Sequence, residues 1–277
     1  MIAFTKMHGI GNDFVMLDGI ERAFPDASLP PLARAMSDRR YGIGSDGIIL
    51  VDKDDAGLSM RMWNPDGSES EMCGNGVRCF AKFVHDRHYA TGNFIPVETG
   101  AGSLVLELLE DGKVRVDMGK ARLTRGEIGM IGPPDQMVVD QPFLMPDGST
   151  LPGTAVSMGN PHLVLFVDNA ASVPLEQWGP ALERNEAFPN RVNVHFAMVE
   201  RPTSIVQRTW ERGAGATLAC GTGACAVGVA AFLTGRGARE TSIRLPGGVL
   251  DIRYAEDGTV YMTGPAEYSF EGEWPAG

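Results

Sequence analysis

Basic residues, cysteines and long apolar runs are all scarce in this sequence of 277 residues. Lys and Arg number 24 against 35 Asp and Glu, and the net charge of -11 argues against nucleic acid or an anionic membrane as a partner. No apolar run approaches the length that spans a bilayer, and the first six residues resemble a strand rather than a signal peptide, so we expect a cytoplasmic chain. Four cysteines are too few for a disulfide scaffold, and we expect free thiols.

All four cysteines lie in two short, similar segments. The segment 73–79 reads Cys-Gly-Asn-Gly-Val-Arg-Cys, and 220–225 reads Cys-Gly-Thr-Gly-Ala-Cys. Each opens a run of apolar and small residues that predicts a buried helix, over 79–84 and 224–233. Glycines at a helix start leave backbone N–H groups free to bind an anion, and the helix dipole favours a carboxylate there and lowers the pKa of a nearby thiol. The two segments therefore predict a site with two thiols and an anion pocket.

The two segments belong to an internal repeat. Cys73 and Cys220 are 147 residues apart, Asn12 and Asn160 are 148 apart, and the Asp-Gly turns at 111 and 257 are 146 apart. Landmarks that keep order and spacing over the whole length indicate a duplicated domain. We expect one half over 1–118 and the other over 119–264, with the last residues, 265–277, returning to pack on the first half.

Hydrophobic periodicity predicts the same plan in both halves. Helices are expected over 30–40 and 175–185, and hairpins over 103–118 and 249–263, while 123–152 is expected to be irregular. The further predicted strands cover 2–6, 14–18, 48–51, 59–63, 163–167, 192–199 and 205–211. Because the segment 224–233 is apolar nearly all round, its helix must be buried on every side. The predicted fold class is α+β, with two pseudo-symmetric domains, each a curved, mostly antiparallel, barrel-like sheet around a central buried helix, and a site in the inter-domain cleft.

Two thiols at one site could form a disulfide, bind a soft metal or flank a substrate. The cysteine spacings do not match those of zinc sites, and Cys79 and Cys225 are interpreted as buried apolar residues. Cys73 and Cys220 precede Gly-x-Gly in both halves and are the candidates for chemistry. A pair of equivalent thiols suits the inversion of a stereocentre, in which a base removes a proton from one face and an acid delivers one to the other. Helix N–H groups would stabilise the carbanion through its carboxylate.

With these motifs, the sequence resembles the diaminopimelate epimerase family. The resemblance covers nearly the full chain in the right order. Its further motifs are His-Gly-Ile-Gly-Asn-Asp-Phe at 8–14, Asn-Pro-Asp-Gly-Ser at 64–68, Gly-Asn-Pro-His at 159–162 and Glu-Arg-Gly-Ala-Gly at 211–215. The family interconverts LL- and meso-2,6-diaminopimelate without a cofactor, in the synthesis of lysine and of cell-wall precursors, and its members have two pseudo-symmetric domains and often form homodimers.

The resemblance implies a role for each matching residue. Cys73 and Cys220 would be the acid–base pair, and the backbones of Gly74, Asn75, Gly221 and Thr222 would hold the reacting α-carboxylate. His162 and Glu211 would shift the pKa of the thiols. The implied contacts to the amino and carboxylate groups of the substrate come from Asn12, Asn64, Asn160, Asn193, Glu211 and Arg212. Arg212 suits the distal carboxylate because guanidinium binds carboxylate in a bidentate way.

The resemblance also implies the partners. We expect a small diamino dicarboxylic acid as substrate, a homodimer, and no metal, cofactor, nucleic acid or membrane. Gly47 stands where some family members carry Gln, and Ala216 where some carry Glu, so the fine substrate contacts differ here. His8, His85, His88 and His195 show no partner pattern and are interpreted as structural, and Asp46 is interpreted as a turn residue.

Two alternatives stay open. Proline racemases and hydroxyproline epimerases use two cysteines in the same way, but they typically carry His where this chain has Asn75, and Asp-Arg-Ser-Pro where it has the residues 216–219. A non-catalytic binding protein or thiol redox sensor would also use two cysteines. Exchange of the substrate α-hydrogen with solvent separates an epimerase from a binder or sensor.

Overall fold

The computed structural model describes residues 1–275, so the last two residues of the segment expected to return to the first half lie outside the described residues. The chain divides into two compact units. The first unit is Met1–Asp117 together with the chain from Thr263 onward, and the second is Met118–Met262. None of the helices in the described part of the chain is long and apolar enough to cross a membrane.

The first unit is a mixed sheet packed on one central helix. Its helices are α1 (Leu29–Ser37), preceded by a 3-10 turn (Asp26–Ser28), and α2 (Gly74–Asp86). Its strands are β1 (Ile2–Gly9), β2 (Asn12–Asp18), β3 (Ile48–Asp54), β4 (Gly57–Trp63), β5 (Glu69–Ser70), β6 (Phe94–Thr99), β7 (Gly102–Leu108), β8 (Val114–Lys120) and, near the end of the chain, β18 (Glu267–Trp274). β18 pairs with β1 in antiparallel fashion along nearly its whole length. Residues from both ends of the described chain thus build one edge of this unit.

The second unit repeats this arrangement. Its helices are α3 (Arg125–Ile128), α4 (Leu175–Glu183), preceded by a 3-10 turn (Ala170–Ser172), and α5 (Gly221–Leu233). Its strands are β9 (Gln141–Leu144), β10 (Thr150–Ser157), β11 (Pro161–Phe166), β12 (Asn193–Arg201), β13 (Ser204–Glu211), β14 (Gly215–Thr217), β15 (Glu240–Leu245), β16 (Gly248–Tyr254) and β17 (Thr259–Gly264). Helix α5 packs against six of these strands, β10 to β13, β15 and β16, and is buried nearly all round, as its composition predicts.

The order and direction of the strands show the duplication. In the first unit β1–β2 is antiparallel, β2–β3 parallel, β3–β4 antiparallel, β4–β6 parallel and β6–β7 antiparallel. The strands β10, β11, β12, β13, β15 and β16 repeat this series in the second unit. Two parallel pairs in each sheet leave the antiparallel pairs in the majority. The prediction of an α+β fold with two pseudo-symmetric halves, each a sheet around one buried helix, is confirmed.

The registers also align the two units residue by residue. Val15 lies opposite Ile48 in the first unit, and His162 lies opposite Asn193 in the second. With Asn12 matched to Asn160, this makes Gly47 the counterpart of Asn193 and Ile49 the counterpart of His195. Ile49 then pairs with Met62 and His195 with Thr209, which agrees with the spacing of the two cysteines.

The stretch 123–152, expected to be irregular, contains α3, β9 and the start of β10. Thr124 caps α3, its hydroxyl and backbone N–H both bonded to Glu127, and β9 pairs with β10. The Thr-x-x-Glu pattern at 124–127 is a capping box, whose reciprocal hydrogen bonds hold a single helical turn that hydrophobic periodicity cannot reveal. The strands β5, β6, β10, β14, β15 and β18 were also absent from the prediction. β6 pairs in parallel with β4, and β15 with β13, and such partners are distant in sequence.

Candidate active site

Cys73 and Cys220 occupy the same position in their units, the residue that caps the N-terminus of the central helix. Cys73 has φ -132° and ψ 124°, and Cys220 has φ -131° and ψ 102°. The first intrahelical hydrogen bonds come from the N–H groups of Val77 and Ala224, which donate to the two cysteine carbonyls. The N–H groups of the residues just after each cysteine therefore precede the hydrogen-bonded helix, where an anion can bind.

In the first unit, Asn12 connects the thiol to the surrounding loops. The Cys73 thiol donates to Asn12 Oδ1 over 3.4 Å, and Asn75 Nδ2 donates to the same oxygen over 3.0 Å. Asn12 Nδ2 donates in turn to Asp46 Oδ2 at 2.6 Å. Asp46, interpreted from the sequence as a turn residue, thus acts together with Asn75 to fix which end of the Asn12 amide faces the thiol.

A buried arginine lies one helical turn after Cys73. Arg78 is fully buried, and its guanidinium donates to the backbone oxygens of Pro265 and Gly74, each over 3.1 Å. A side chain at Gly9 would reach within 2.7 Å of this guanidinium. The counterpart of Arg78 in the second unit is Cys225, an uncharged residue. The two helix N-termini therefore differ in charge, although their backbones match.

In the second unit, the Cys220 thiol is surrounded by Glu211, Thr222 and the N–H of Gly223. Burial raises the pKa of the Cys220 thiol well above its ordinary value, and the negative charge of Glu211 raises it further, while hydrogen bonds from the Gly223 N–H and the Thr222 hydroxyl oppose this. The expectation that the helix N-terminus lowers the thiol pKa is thus wrong for Cys220, because desolvation and a like charge outweigh the dipole. Glu211 itself accepts from the Thr217 hydroxyl at 2.5 Å.

Asn160 and His162 lie beside Thr222. Asn160 Nδ2 is 3.5 Å from Thr222 Oγ1, and Asn160 Oδ1 is 2.8 Å from His162 Nε2. Thr222 Oγ1 is in turn 3.8 Å from Cys220 Sγ. Burial lowers the pKa of His162 well below its ordinary value, with further contributions from His195 and from the charge of Arg212, so His162 is neutral. It contacts His195 on its other side, Nδ1 to Nε2 at 2.9 Å.

The remaining predicted substrate contacts differ in exposure. Arg212 is exposed and donates to the backbone oxygen of Asn190 over 3.0 Å. Asn193 is buried; its amide donates to the Pro161 carbonyl and accepts the Arg212 N–H, so it holds the backbone that carries Arg212. Asn64, half-buried, donates to the Ser68 hydroxyl at 3.0 Å within its own turn.

Gly47 and the distribution of metal-ligating side chains limit the chemistry available at this site. A Cβ at Gly47 would lie 2.4 Å from the Trp63 carbonyl oxygen, so this position contributes only backbone. Within residues 1–275, no three His, Cys, Asp or Glu side chains cluster in a way that could hold a metal ion. The chemistry that these side chains offer is proton transfer by thiols and the binding of carboxylate by N–H groups and a guanidinium.

Comparison with known proteins identifies the family. The sequence model of diaminopimelate epimerase matches residues 4–124 and 154–269. The chain belongs to the diaminopimelate epimerase family. It is 49% identical over 277 residues to the diaminopimelate epimerase of Pelotomaculum thermopropionicum and 48% identical over 280 residues to that of Leptospira biflexa, and each match covers 98% of both chains.

Solved structures share the fold of this family member at low identity. A phenazine biosynthesis protein of the PhzF family from Bacillus anthracis matches with a TM-score of 0.71 at 15% identity, covering 99% of both chains. A probable proline racemase from Agrobacterium radiobacter matches with a TM-score of 0.68 at 15% identity, covering 99% of this chain and 93% of the other. At this identity the likeness shows the fold alone.

Proposed function

We propose that this chain is a diaminopimelate epimerase, which interconverts LL- and meso-2,6-diaminopimelate by proton transfer at one α-carbon, in the synthesis of lysine and peptidoglycan precursors. The matched positions of Cys73 and Cys220 carry the proposal. Each thiol caps the central helix of its unit with nearly the same backbone angles, next to N–H groups that can bind a carboxylate. Relatives at 48–49% identity over nearly the full chain bear the name of this activity.

The proposed reaction uses both thiols on one α-carbon. A thiolate removes the α-hydrogen as a proton, the Cα–H bond electrons pass into the carboxylate as an enolate-like anion, and the other thiol delivers its proton to the opposite face. Burial and Glu211 favour the protonated form of Cys220, which suits it to deliver the proton in one direction of the reaction, with Cys73 as the acceptor in that direction. The reverse reaction exchanges the two roles.

The N–H groups at the two helix starts would stabilise the anion. Gly74, Asn75, Gly221 and Thr222 supply N–H groups where a helix favours negative charge, and charge on the carboxylate grows as the α-proton leaves. These groups are fixed before the reaction, so they need not reorganise during it. Thiols and backbone dipoles suffice for this step, which is why we propose a cofactor-independent reaction.

The side chains around each thiol would bind the rest of the substrate. Arg212 is exposed, and its backbone is held by Asn193, which suits an arginine that binds the distal carboxylate. Half-buried amides would contact the amino and carboxylate groups, and for this role we propose Asn12 beside Cys73, Asn160 beside Thr222, and Asn64. Glu211, beside Cys220, would attract the substrate ammonium group and raise the thiol pKa at once. We further propose that the protein acts in the cytoplasm as a homodimer.

Incubation with LL-diaminopimelate in D2O tests the proposal. We expect deuterium at one α-carbon together with formation of the meso isomer, followed by NMR and chiral chromatography. The double variant Cys73→Ala/Cys220→Ala provides the blank. Exchange with proline or hydroxyproline but not with diaminopimelate would move the protein to the cyclic substrates. Lack of exchange with all three would favour a binding protein or a thiol redox sensor.

A further inference from the structure

A continuous chain of polar side chains runs through the core of the second unit behind Cys220. His162, His195, Gln207 and Thr209 are each at most 2% exposed. His195 Nε2 contacts His162 Nδ1 at 2.9 Å, and His195 Nδ1 lies 3.1 Å from Gln207 Nε2 and 3.0 Å from Thr209 Oγ1. Burial lowers the pKa of His195 to about 3, so both imidazoles are neutral.

The hydrogen bonds in this chain run in one direction. The Gln207 amide donates to His195 Nδ1, which leaves the proton of His195 on Nε2. His195 Nε2–H then donates to His162 Nδ1, and His162 Nε2–H donates to Asn160 Oδ1. With its oxygen held, Asn160 directs its NH2 group toward Thr222 Oγ1, so the Thr222 hydroxyl hydrogen can point to Cys220 Sγ when that sulfur is a thiolate.

The first unit shows that the fold does not need these polar groups. By the strand registers, the counterparts of His162, His195, Gln207 and Thr209 are all apolar: Phe14, Ile49, Met60 and Met62. A buried polar group costs free energy unless it is hydrogen-bonded. Gln207 Oε1 is buried and finds no hydrogen-bond partner among residues 1–275, so the chain is kept at a cost.

The two arrangements lie at equivalent places behind the two thiols. A Cβ at Gly223 would lie 2.3 Å from His195 Cε1 and 2.9 Å from Cys220 Sγ. In the first unit, a Cβ at Gly76 would lie 2.9 Å from Ile49 Cδ1. The second unit therefore places a polar, directional side chain, His195, under the helix turn that carries its thiol, where the first unit places the apolar Ile49.

We propose that His195 is a positioning residue of the proposed epimerase, and that the chain Gln207–His195–His162 fixes the Asn160 amide so that Thr222 donates its hydrogen bond to the Cys220 sulfur. This hydrogen bond stabilises the thiolate that forms when Cys220 has given up its proton, since donors to a charged acceptor favour the charged form. The inference deepens the proposed function and rests on it for its catalytic meaning. Its structural content concerns Cys220 alone.

Two charged groups face this chain and must stay constant in its test. Glu211 acts on the Cys220 thiol from β13, and Arg212 acts on His162 from the following loop. The variants leave both unchanged. Because His195 is neutral, its replacement by an apolar residue removes hydrogen bonding without removing a charge.

Alkylation with iodoacetamide as a function of pH tests the inference on the full-length protein without substrate. Peptide mass spectrometry reads Cys220 and Cys73 separately, so Cys73 serves as the internal reference. His195→Ile introduces the first-unit residue, and Gln207→Met does the same farther from the thiol. His195→Gln keeps an N–H donor near the Nε2 position and should restore the wild-type profile. In His195→Ile we expect the pH profile of Cys220 alkylation to move to higher pH by about one unit, which corresponds to about tenfold slower alkylation below the midpoint. The alkylation rate of Cys73 should change by less than about twofold.

Each outcome decides the inference. The inference is supported if the pH profile shifts for Cys220 alone in His195→Ile. The same shift should occur in folded Gln207→Met, and His195→Gln should show the wild-type profile. An unchanged Cys220 profile in a folded apolar variant, or equal slowing of both thiols, overturns it, because a purely structural role would loosen the protein without selecting one sulfur. The alkylation experiment uses no diaminopimelate. Absence of α-deuteration in the wild-type protein would therefore overturn the proposed function, but the alkylation result would still hold.

Discussion

Asn12 donates from its amide nitrogen to the Asp46 carboxylate at 2.6 Å, which turns its oxygen toward the Cys73 thiol 3.4 Å away. Asp46 is held in turn by the Asp13 N–H and by Arg39 at 2.7 Å. Asp46, which touches no thiol, therefore acts together with the Asn75 amide to turn an acceptor toward Cys73.

Asp46→Asn should lower the proposed epimerase activity by about 10- to 100-fold, because a misplaced site group costs catalysis in this range. The new amide can donate as well as accept, so the orientation of Asn12 is then held by Asn75 alone. The measurement is kcat/KM for α-deuteration in D2O. Asp147→Asn, in a turn of the second unit where Asp147 accepts from Ser149, is the matched control and should stay near wild type. Equal loss in both variants would contradict the role of Asp46.

Cys73→Ser and Cys220→Ser should each lower epimerisation by on the order of 10²- to 10⁴-fold, since a hydroxyl is a much weaker acid than a thiol and scarcely ionises near neutral pH to provide the anionic base. Both variants should keep the native fold, which a circular dichroism spectrum close to that of the wild-type protein would show. The controls Cys79→Ala and Cys225→Ala remove fully buried thiols from the helix interiors, and they should retain activity while losing about 1 kcal/mol of stability. Near-full activity in either serine variant would exclude a two-base mechanism.

Gly223→Ala should destabilise the protein by about 1–3 kcal/mol, because its Cβ would meet the His195 ring at 2.3 Å and cores resist overpacking. Gly76→Ala is the paired comparison. The one close contact of its Cβ would be with the terminal methyl of Ile49 at 2.9 Å, which can turn away, and alanine favours the helix. Urea unfolding of both variants tests this difference. A loss for Gly76→Ala as large as that for Gly223→Ala would show that the histidine ring is not the obstacle.

The buried histidines make folding stability depend on pH. The pKa of His195 is lowered to about 3 in the folded protein, so below pH of about 6.5 the unfolded state binds a proton that the folded state does not. Stability therefore falls as the pH falls from about 6.5 towards 3, with a limiting slope of about 1.4 kcal/mol per pH unit for this residue. His195→Ile should remove this part of the slope.

Urea unfolding between pH 7.5 and 5 measures that slope. Ile49→Val changes the equivalent position of the first unit without a titrating group and should leave the slope as in the wild-type protein. A slope unchanged by His195→Ile would mean that the imidazole is protonated in the folded state after all.

The architecture could be predicted because the duplication leaves similar motifs at near-constant spacing in the two halves, and because the composition of the central helices is unambiguous. The helix of 221–233 has an apolar surface all round, which only a central position can bury, and it lies there. The single turn Arg125–Ile128 and strand β6 escaped prediction, since a capping box and long-range parallel pairing carry weak periodic signals.

The candidate site was less predictable than the fold. The motifs pointed to Cys73, Cys220 and their amide neighbours, but Asp46 and His195 were interpreted as structural. Their importance depends on contacts between residues over 30 apart, such as Asn12 with Asp46 and His162 with His195. One signal was present: when the halves are aligned, His195, Gln207 and Thr209 stand where Ile49, Met60 and Met62 stand in the first. The raised pKa of Cys220 was not foreseeable, because burial is a tertiary property.

The pairing of β18 with β1 has a consequence for how the protein is made. A ribosome releases the first unit's N-terminal strands early, but β18 emerges only after every residue of the second unit. Since domains fold as units during synthesis, the second unit can reach its native state while the first still waits for its edge strand. The half that is translated first is therefore completed last, and β1 must be kept from aberrant pairing in the interval.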